Sequence, residues 1–189
     1  MGRTRDRRYL KFHQDLPQRA RVALEQIADQ DRAEFDAPPN TIEAYLEVIR
    51  THTIVPLTSW FGPAYCFSAA SSDQSEITLV TPNNRQVLKE MPEWVDDINH
   101  EQPMVAWIEN EVALGVCASV RKCDPAEAAG LDVLERARMR GIGQKLATAW
   151  ASLVQAKGKI AMYSTSSDNV ASQAVARRLG LELLGSSIG

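Results

Sequence analysis

Residues 130–165 place a strand, a glycine-rich turn, a long amphipathic helix and a second strand in succession, which constrains the fold more than any other feature of the chain. The helix is predicted over 141–156 because its apolar residues recur at helical spacing. The strands at 130–134 and 160–165 then form a βαβ unit with it, whose strands are parallel and whose crossover is right-handed. The apolar residues of the helix are Ile142, Leu146, Trp150, Leu153 and Val154.

The strands before this unit are predicted to pair in antiparallel hairpins. MVAWI (104–108) and VALGVCASV (112–120) flank one short polar turn, and AYCFSA (64–69) and SEITLVT (75–81) flank another. A capped helix and a last short strand follow the βαβ unit. The predicted fold class is therefore α/β with α+β mixing, in which helices flank a mixed, mostly antiparallel sheet.

The N-terminal quarter of the chain has a helical texture of its own. Helices are predicted over 16–30 and 42–50, with the break DAPPN between them. We therefore expect a helical extension over 1–50 and the main domain over 51–189. The first fourteen residues are basic, which suits either an arm for an acidic partner or a solvated terminus. Their basic side chains are Arg3, Arg5, Arg7, Arg8 and Lys11.

Charge and composition exclude several classes of function. A net charge of −3 argues against a dedicated nucleic-acid binder. Three cysteines are too few for a disulfide framework and indicate reduced thiols, and the three histidines lack the spacing of metal ligands. No secretory signal and no apolar run of about 18 residues is present. We expect a cytoplasmic protein without a metal or a membrane segment, and a homodimer is left open.

The helix over 141–156 begins with glycine, the residue that costs a helix most after proline. The first N–H groups of a helix have no partner inside it and lie at the positive end of its dipole, so they bind phosphate well. Gly141 and Gly143 leave these groups accessible, and Arg138 and Arg140 add positive charge. The alternative is a tight turn that uses its glycines for close packing.

Two common phosphate-binding motifs are excluded by their own spacing. The chain contains no G-x-x-x-x-G-K-[ST] sequence, so it has no Walker A loop. It also lacks G-x-G-x-x-G, because Leu146 stands where the third glycine belongs.

The spacing that does fit is R-x-x-G-x-G, formed by Arg138, Gly141 and Gly143 between a strand and a helix. Here the sequence resembles the GNAT superfamily of acyl-CoA-dependent N-acyltransferases, which has [Q/R]-x-x-G-x-[G/A] at this place. Two flanking segments add to the resemblance: AEAAGLDVLERARMRGIG is similar to the strand and loop of the family, and YSTSSDNVASQAVARRLGLELLG to its next strand and helix. The resemblance extends over roughly residues 60–189.

This resemblance implies acetyl-CoA as cosubstrate and a sheet in which the parallel strand pair is splayed. It implies that the strand before the loop holds the pantetheine arm, that the loop and helix start hold the pyrophosphate, and that the next helix adds an asparagine and a serine. A proline is common after that strand in the family, whereas this chain has Glu135. The implied cofactor-binding residues are Val133, Leu134, Arg138, Met139, Arg140, Gly141, Ile142, Gly143, Gln144, Asn169 and Ser172.

The resemblance also suggests catalytic residues. Glu127 lies 11 residues before Arg138, where the histone-acetylating branch of the family has its general base. The alternative is a solvated carboxylate at the start of a strand. Many family members have a tyrosine in the last helix as the acid, but this chain has Ala176 there. Tyr163 can substitute for it, unless it is simply a core tyrosine.

The predicted function is transfer of an acetyl group from acetyl-CoA to an amine by direct attack in a ternary complex. The amine acceptor is unknown, and the aromatic cluster Trp60, Phe61, Tyr65 and Phe67 either lines its pocket or belongs to the core. One alternative is a non-catalytic acyl-CoA-binding sensor or partner-binding module on the same fold. A partner-binding or nucleic-acid-binding module in residues 1–50 is the other, and the acidic total charge argues against nucleic acid.

Overall fold

A computed structural model describes residues 1–54, 56–57, 59–69 and 76–188. The chain divides into two compact units. The first unit contains Met1–Ala64, Thr165–Val170 and the chain from Leu183 onward. The second unit contains Tyr65–Ser164 and Ala171–Glu182. Among the described residues, no helix combines the length and the apolar character needed to span a membrane.

Nine strands and four α-helices make up the described chain. The strands are β1 (Gly2–Thr4), β2 (Arg8–Tyr9), β3 (Phe61–Cys66), β4 (Ile77–Leu79), β5 (Met104–Glu109), β6 (Val112–Lys122), β7 (Ala126–Val133), β8 (Ile160–Ser164) and β9 (Glu182–Ile188). The helices are α1 (Gln18–Gln30), α2 (Ile42–Arg50), α3 (Ile142–Ala156) and α4 (Val170–Arg178). Short 3₁₀ segments lie at Pro82–Leu88, Pro92–Trp94 and Glu135–Ala137.

The strands of the second unit form a mixed sheet in the order β8-β7-β6-β5-β4. Its pairs are antiparallel except for β7 and β8, which are parallel and joined by α3. This confirms the predicted mixed, mostly antiparallel sheet, the βαβ unit and the hairpin of β5 and β6. It is the arrangement in which a single crossover helix covers one face of the sheet. The first strand of the βαβ unit, predicted over 130–134, begins earlier, at Ala126, and ends at Val133.

The other predicted hairpin is wrong. β4 pairs antiparallel with β5, with Ile77 opposite Trp107, and does not pair with the preceding strand β3. The local sequence pattern indicates that a segment forms a strand. Which strand it pairs with depends on the side chains that it packs against in the folded sheet, and the local pattern does not contain that information. The expected turn ASSDQ (70–74) lies outside the described residues.

The parallel pair separates along its length. β7 pairs with β8 only from Ala126, opposite Ile160, to Ala129, opposite Tyr163. β7 then continues to Val133, where its described pairing is with β6 alone, opposite Gly115. The edge of β7 that faces β8 is therefore left without a strand partner in the described part of this unit. This is the splayed pair that the fold class predicts.

α3 packs its apolar face on this sheet, as its helical spacing predicts. Ile142, Leu146, Trp150 and Val154 are all buried. Trp150 also stacks edge-to-face on Phe67, with ring centroids 6.2 Å apart. Burying each of these side chains contributes about 1.5–3 kcal/mol, so the core fixes the position of the helix and of the loop before it.

In the first unit, β1 lies between β2 and β9 in an antiparallel sheet, and α1 contacts α2. Arg3 on β1 is buried and forms an ion pair with Asp31, with Nη1 and Oδ2 3.1 Å apart. The expectation of a solvated terminus is therefore wrong for Arg3. The domain boundary at residue 50 stays a prediction.

Candidate functional site

The loop between β7 and α3 is shaped by two residues in the left-handed region. Met139 has a φ of 64° and Gly141 a φ of 78°. Glycine adopts this conformation freely, whereas Met139 is strained by about 1 kcal/mol or more and is 88% exposed. Gly141 is thus explained by its backbone conformation, and it is the N-cap residue that immediately precedes α3.

The N terminus of α3 has free backbone donors. The first bond inside the helix runs from Lys145 N–H to the Gly141 carbonyl, at 3.2 Å. The N–H groups of Ile142, Gly143 and Gln144 precede it, so they have no acceptor within the helix. Such N–H groups and the helix dipole together are suited to binding an anion.

Close packing does not explain Gly143. A Cβ atom there would lie 3.4 Å from Leu131 Cδ2 and 3.7 Å from both Val133 Cγ2 and Val175 Cγ2. These are ordinary van der Waals distances, so the core has room for alanine at this position. Tight packing therefore does not require a glycine at position 143, and the role of Gly143 in access to the helix N terminus stays a prediction.

The two arginines of the loop have different partners. Arg138 donates from Nε to the Val133 carbonyl at 3.3 Å and forms no ion pair with a carboxylate of the described residues. Arg140 forms two hydrogen bonds with Glu109, the longer at 3.2 Å. Trp107 donates to the same carboxylate at 3.0 Å. The bonds from Arg140 and Trp107 lower the pKa of Glu109, and Glu109 raises the pKa of Arg140.

Lys145, one turn into α3, is also paired with a carboxylate. Its ammonium group lies 2.6 Å from Glu76 Oε2 and 4.5 Å from the centre of the Trp107 ring. Two cations beside the helix start are therefore paired with carboxylates, and Arg138 is the loop cation whose charge is not matched by a described carboxylate.

The backbone N–H groups of Val133 and Leu134 have different hydrogen-bond acceptors. Leu134 N–H donates to the Leu114 carbonyl at 2.9 Å and is committed to the sheet. By strand alternation, Val133 N–H points away from β6, and it donates to Asp132 Oδ1 at 2.8 Å. A side chain of the neighbouring residue is a replaceable acceptor, so Val133 is the better donor to a ligand on the open edge of β7.

Tyr163 and Ser172 meet where the parallel pair separates. Tyr163 ends the β7–β8 pairing, is 2% exposed, and its hydroxyl lies 2.6 Å from Ser172 Oγ on α4. Burial, partly offset by the bond to Ser172, raises the pKa of Tyr163. The phenol therefore stays protonated at neutral pH. The sequence predicted Tyr163 as a catalytic acid and Ser172 as a cofactor-binding residue, and in the structure their hydroxyl groups are in hydrogen-bond contact.

Asn169 lies in the segment that belongs to the first unit. Its N–H donates to the Ser166 carbonyl at 3.1 Å, in the turn before α4. Its predicted bond to the pantetheine arm stays a prediction.

Glu127 is buried, so the alternative of a solvated carboxylate is wrong. One of its oxygens accepts a hydrogen bond from Ser119 at 2.5 Å and the other contacts Lys159 Nζ at 3.0 Å. Ser119 accepts in turn from Trp150 Nε1 at 3.0 Å. Burial raises the pKa of Glu127, but the bonds from Ser119 and Lys159 and the charge of Lys157 outweigh burial and lower it. The role of general base stays a prediction, and these contacts favour a structural role.

The aromatic cluster predicted for the acceptor is divided between the units. Phe67 and Tyr65 pack in the core of the second unit, whereas Trp60 and Phe61 belong to the first. Phe67 is a core residue, as one of the two stated alternatives predicts. Ala176, at the position of the tyrosine found in many family members, is fully buried.

Sequence reasoning missed the partners of the candidate residues. Glu109 lies 31 residues from Arg140, and Lys159 lies 32 residues from Glu127. Ser119 sits inside an apolar strand, where a buried polar residue signals a hydrogen-bond network. That signal points to a network but does not identify its members.

The sequence model of the family described as Acetyltransferase (GNAT) family matches residues 68–181, more than half of the chain. The chain belongs to the GNAT family of acetyltransferases. The matched region contains the loop, α3, the parallel pair and most of the candidate residues, so the GNAT resemblance and the predicted fold are confirmed.

Solved GNAT structures share this fold. A protein described as an acetyltransferase of the GNAT family from Novosphingobium aromaticivorans DSM 12444 matches with a TM-score of 0.62 and 10% identity, over 70% of this chain and 63% of its own. A GNAT-family acetyltransferase from Colwellia psychrerythraea matches with a TM-score of 0.55 and 15% identity, over 79% of this chain and 61% of its own. For a GCN5-related N-acetyltransferase-like protein from Streptococcus suis 89/1591, the TM-score is 0.56 and the identity 14%, over 78% of this chain and 67% of that one.

At these identities the likeness is one of fold alone. The chain spans less than two thirds of the first two of these GNAT relatives. No curated protein matches it.

Proposed function

We propose that this protein transfers an acetyl group from acetyl-CoA to the amine of an acceptor. The observation that carries the proposal is the N terminus of α3, where the amides of Ile142, Gly143 and Gln144 have no acceptor within the helix and Gly143 is not required by packing. A pyrophosphate matches this site in charge and in hydrogen bonding. Arg138 and the loop Met139–Gly141 complete the proposed contacts.

The acyl-carrying arm is proposed to lie along the open edge of β7. Beyond Ala129 this edge has no strand partner in the described part of the unit, and Val133 N–H points toward it. An extended amide-containing chain can add to such an edge as another strand would. Val133 and Leu134 are the residues proposed to guide it.

The reaction needs few protein groups. The amine nitrogen attacks the thioester carbonyl, a C–N bond forms, the C–S bond breaks, the amine loses one proton and the departing thiolate gains one. Tyr163 is proposed to supply the second proton, because its raised pKa keeps the phenol protonated and its hydroxyl is bonded to Ser172 at the end of the parallel pair. General acid assistance of this kind is worth about 10²–10⁴ in rate.

Glu127 is the residue that the sequence predicts as the base that accepts the proton lost by the amine. Both its oxygens are engaged and its pKa is lowered, and each property weakens a base. We therefore propose that water takes the proton and that Glu127 stabilises the sheet.

A non-catalytic acyl-CoA-binding module is the second candidate. It is favoured by Ala176, which stands where many family members have an acid, and by the burial of the substitute Tyr163. Binding of acetyl-CoA without release of its thiol, across a panel of small amines and peptide amines, would select this candidate.

Thermal unfolding with and without acetyl-CoA tests the site. The ligand should raise the melting temperature of the parent protein, because it binds the native state. Gly141→Glu should abolish the shift, since its side chain fills the anion site and adds like charge.

The matched control is Gly158→Glu. Gly158 also has a positive φ, 74°, with open space around it, but it lies beyond the other end of α3. It therefore carries the same backbone strain and the same charge change. Equal loss of the shift in both variants, or in neither, would contradict the proposed pyrophosphate site.

A further inference from the structure

The first unit contains a concave pocket that the proposed acetyl transfer does not use. Its volume is about 710 Å³. Sites for small molecules commonly enclose about 300–1,000 Å³. Five arginines line it, together with the aromatic ring of Phe35: Arg3, Arg5, Arg7, Arg8 and Arg32.

Most of this positive charge has no carboxylate partner. Arg3 is paired with Asp31, but no described carboxylate lies within salt-bridge distance of the other four arginines. Arg8 donates to the Asp31 carbonyl at 2.6 Å and Arg32 to the Asp29 carbonyl at 2.5 Å. A carbonyl satisfies a donor but does not neutralise a charge.

The pocket also contains acidic residues, which reduce its charge without cancelling it. Asp31 neutralises Arg3, so four guanidinium groups remain against the three lining carboxylates of Asp6, Asp29 and Glu34. The lining is therefore cationic in a chain whose net charge is −3.

The buried Arg3 contributes to the wall of the pocket rather than to its free charge. It is 2% exposed, its guanidinium donates to Asp31 and to the Ala37 carbonyl, and its Nε has no hydrogen-bond partner among the described residues. The cations open to a ligand are therefore the four exposed arginines. The Arg5 guanidinium lies 5.9 Å from the centre of the Phe35 ring, which gives the site a face suited to stacking.

We infer that this pocket binds a small molecule that carries two or more phosphate groups. Planar guanidinium groups bind phosphate through two parallel hydrogen bonds, and several of them together match a polyphosphate better than a single carboxylate. The concave shape and small volume suit a small molecule, whereas a nucleic acid would need an extended basic surface. The site lies within the first unit and is independent of the anion site at α3.

The test is calorimetric titration of the full chain with inorganic tripolyphosphate. The double variant Arg5→Gln/Arg7→Gln removes two exposed pocket cations and should weaken binding by about tenfold or more. The matched control is Arg19→Gln/Arg50→Gln, which removes the same charge from exposed positions of the same unit that do not line the pocket. The control should bind like the parent.

Two measurements separate this site from the proposed active site. Gly141→Glu should lose the thermal shift with acetyl-CoA and still bind tripolyphosphate. Adding Arg5→Gln/Arg7→Gln to that variant should then weaken its binding of tripolyphosphate. Equal binding by the pocket and control variants, or no binding by the parent, would overturn the inference. Tighter binding of a single-stranded oligonucleotide than of tripolyphosphate, through the same arginines, would overturn the small-molecule class.

Discussion

The ion pair of Arg140 and Glu109 determines how much charge the loop presents to an anion. Arg140 is held by two hydrogen bonds to a carboxylate that Trp107 also holds. A phosphate at the proposed site on α3 would have to compete with Glu109 for this arginine. We therefore expect the pair to set the affinity for the ligand without altering the backbone of the loop.

Glu109→Gln is expected to strengthen acetyl-CoA binding. Removing the carboxylate leaves the charge of Arg140 available, and the gain should be roughly two- to fivefold, the range for an exposed ion pair. Titration at low and at high salt measures it, and the gain should shrink with salt. The control Glu43→Gln releases Arg50 in the first unit instead. Weaker binding by Glu109→Gln would mean that Glu109 positions Arg140 for the ligand.

Tyr163→Phe is expected to lower kcat by about a hundredfold and to leave the Kd for acetyl-CoA nearly unchanged, because it removes the proposed acid and keeps the ring in the core. Steady-state kinetics with a good amine acceptor measures the effect. Tyr65→Phe is the matched control, since Tyr65 packs on the same core. If Tyr163→Phe turns over at the rate of the parent, Tyr163 is a core residue and not the general acid.

At the scale of the elements, one network of hydrogen bonds joins β6, β7 and α3 to the residue that precedes β8. Glu127 on β7 is bonded to Ser119 on β6 and to Lys159, the residue before β8, while Ser119 is bonded to Trp150 on α3. The network is fully satisfied at the carboxylate, which is the condition under which a buried charge stabilises a fold. It therefore secures the closed end of the parallel pair, and the pair opens toward the loop.

Glu127→Gln is expected to lower the free energy of unfolding at neutral pH. The pKa of Glu127 is lowered in the folded state. Its contribution is therefore complete above the ordinary glutamate pKa of about 4.3 and is lost as pH falls through the lower folded value. Urea unfolding at pH 7 and at pH 4 measures this, and the difference between variant and parent should shrink at the lower pH.

The exposed Glu135→Gln is the control for this experiment. A fall in kcat for Glu127→Gln with unchanged stability, partly rescued at higher pH where more of the amine is neutral, would restore Glu127 as the general base.

At the scale of the whole molecule, the first unit joins distant parts of the chain. Gly2 on β1 lies opposite Ser187 on β9, and Ile188 N–H donates to the Met1 carbonyl at 2.8 Å. The ion pair of Arg3 and Asp31 links the same strand to the C-cap residue that follows α1. Residues 1–50 therefore supply partners to β9 as well as helices.

Arg3→Met is expected to destabilise the protein by about 3–5 kcal/mol, because it leaves the buried Asp31 carboxylate without its cation. The double variant Arg3→Met/Asp31→Leu should recover most of that loss, since it removes both charges. Urea unfolding of the full chain followed by circular dichroism measures both. A double variant no more stable than the single one would show that packing of the arginine, rather than its charge, maintains the unit.

The sequence by itself determined the elements whose pattern is local. Apolar residues at helical spacing identified α3 and its buried face, and the strand–glycine–helix succession identified the βαβ unit. These predictions succeed because side-chain periodicity records which face is buried. The anion site at the turn follows from the unpaired N–H groups of any helix start and stays a prediction.

Only the tertiary structure decided which distant residues meet. The pairing of β4 with β5, the capture of Arg140 by Glu109, the enclosure of Glu127 by Ser119 and Lys159, and the burial of Arg3 all join segments far apart in the chain. Each of these contacts forms because its free energy is lower than that of contacts with competing partners. Which partners compete is decided only when the core has fixed the positions of the elements. A charged residue in the sequence therefore shows what chemistry it can perform, and its folded neighbours decide whether that charge faces a ligand or is neutralised.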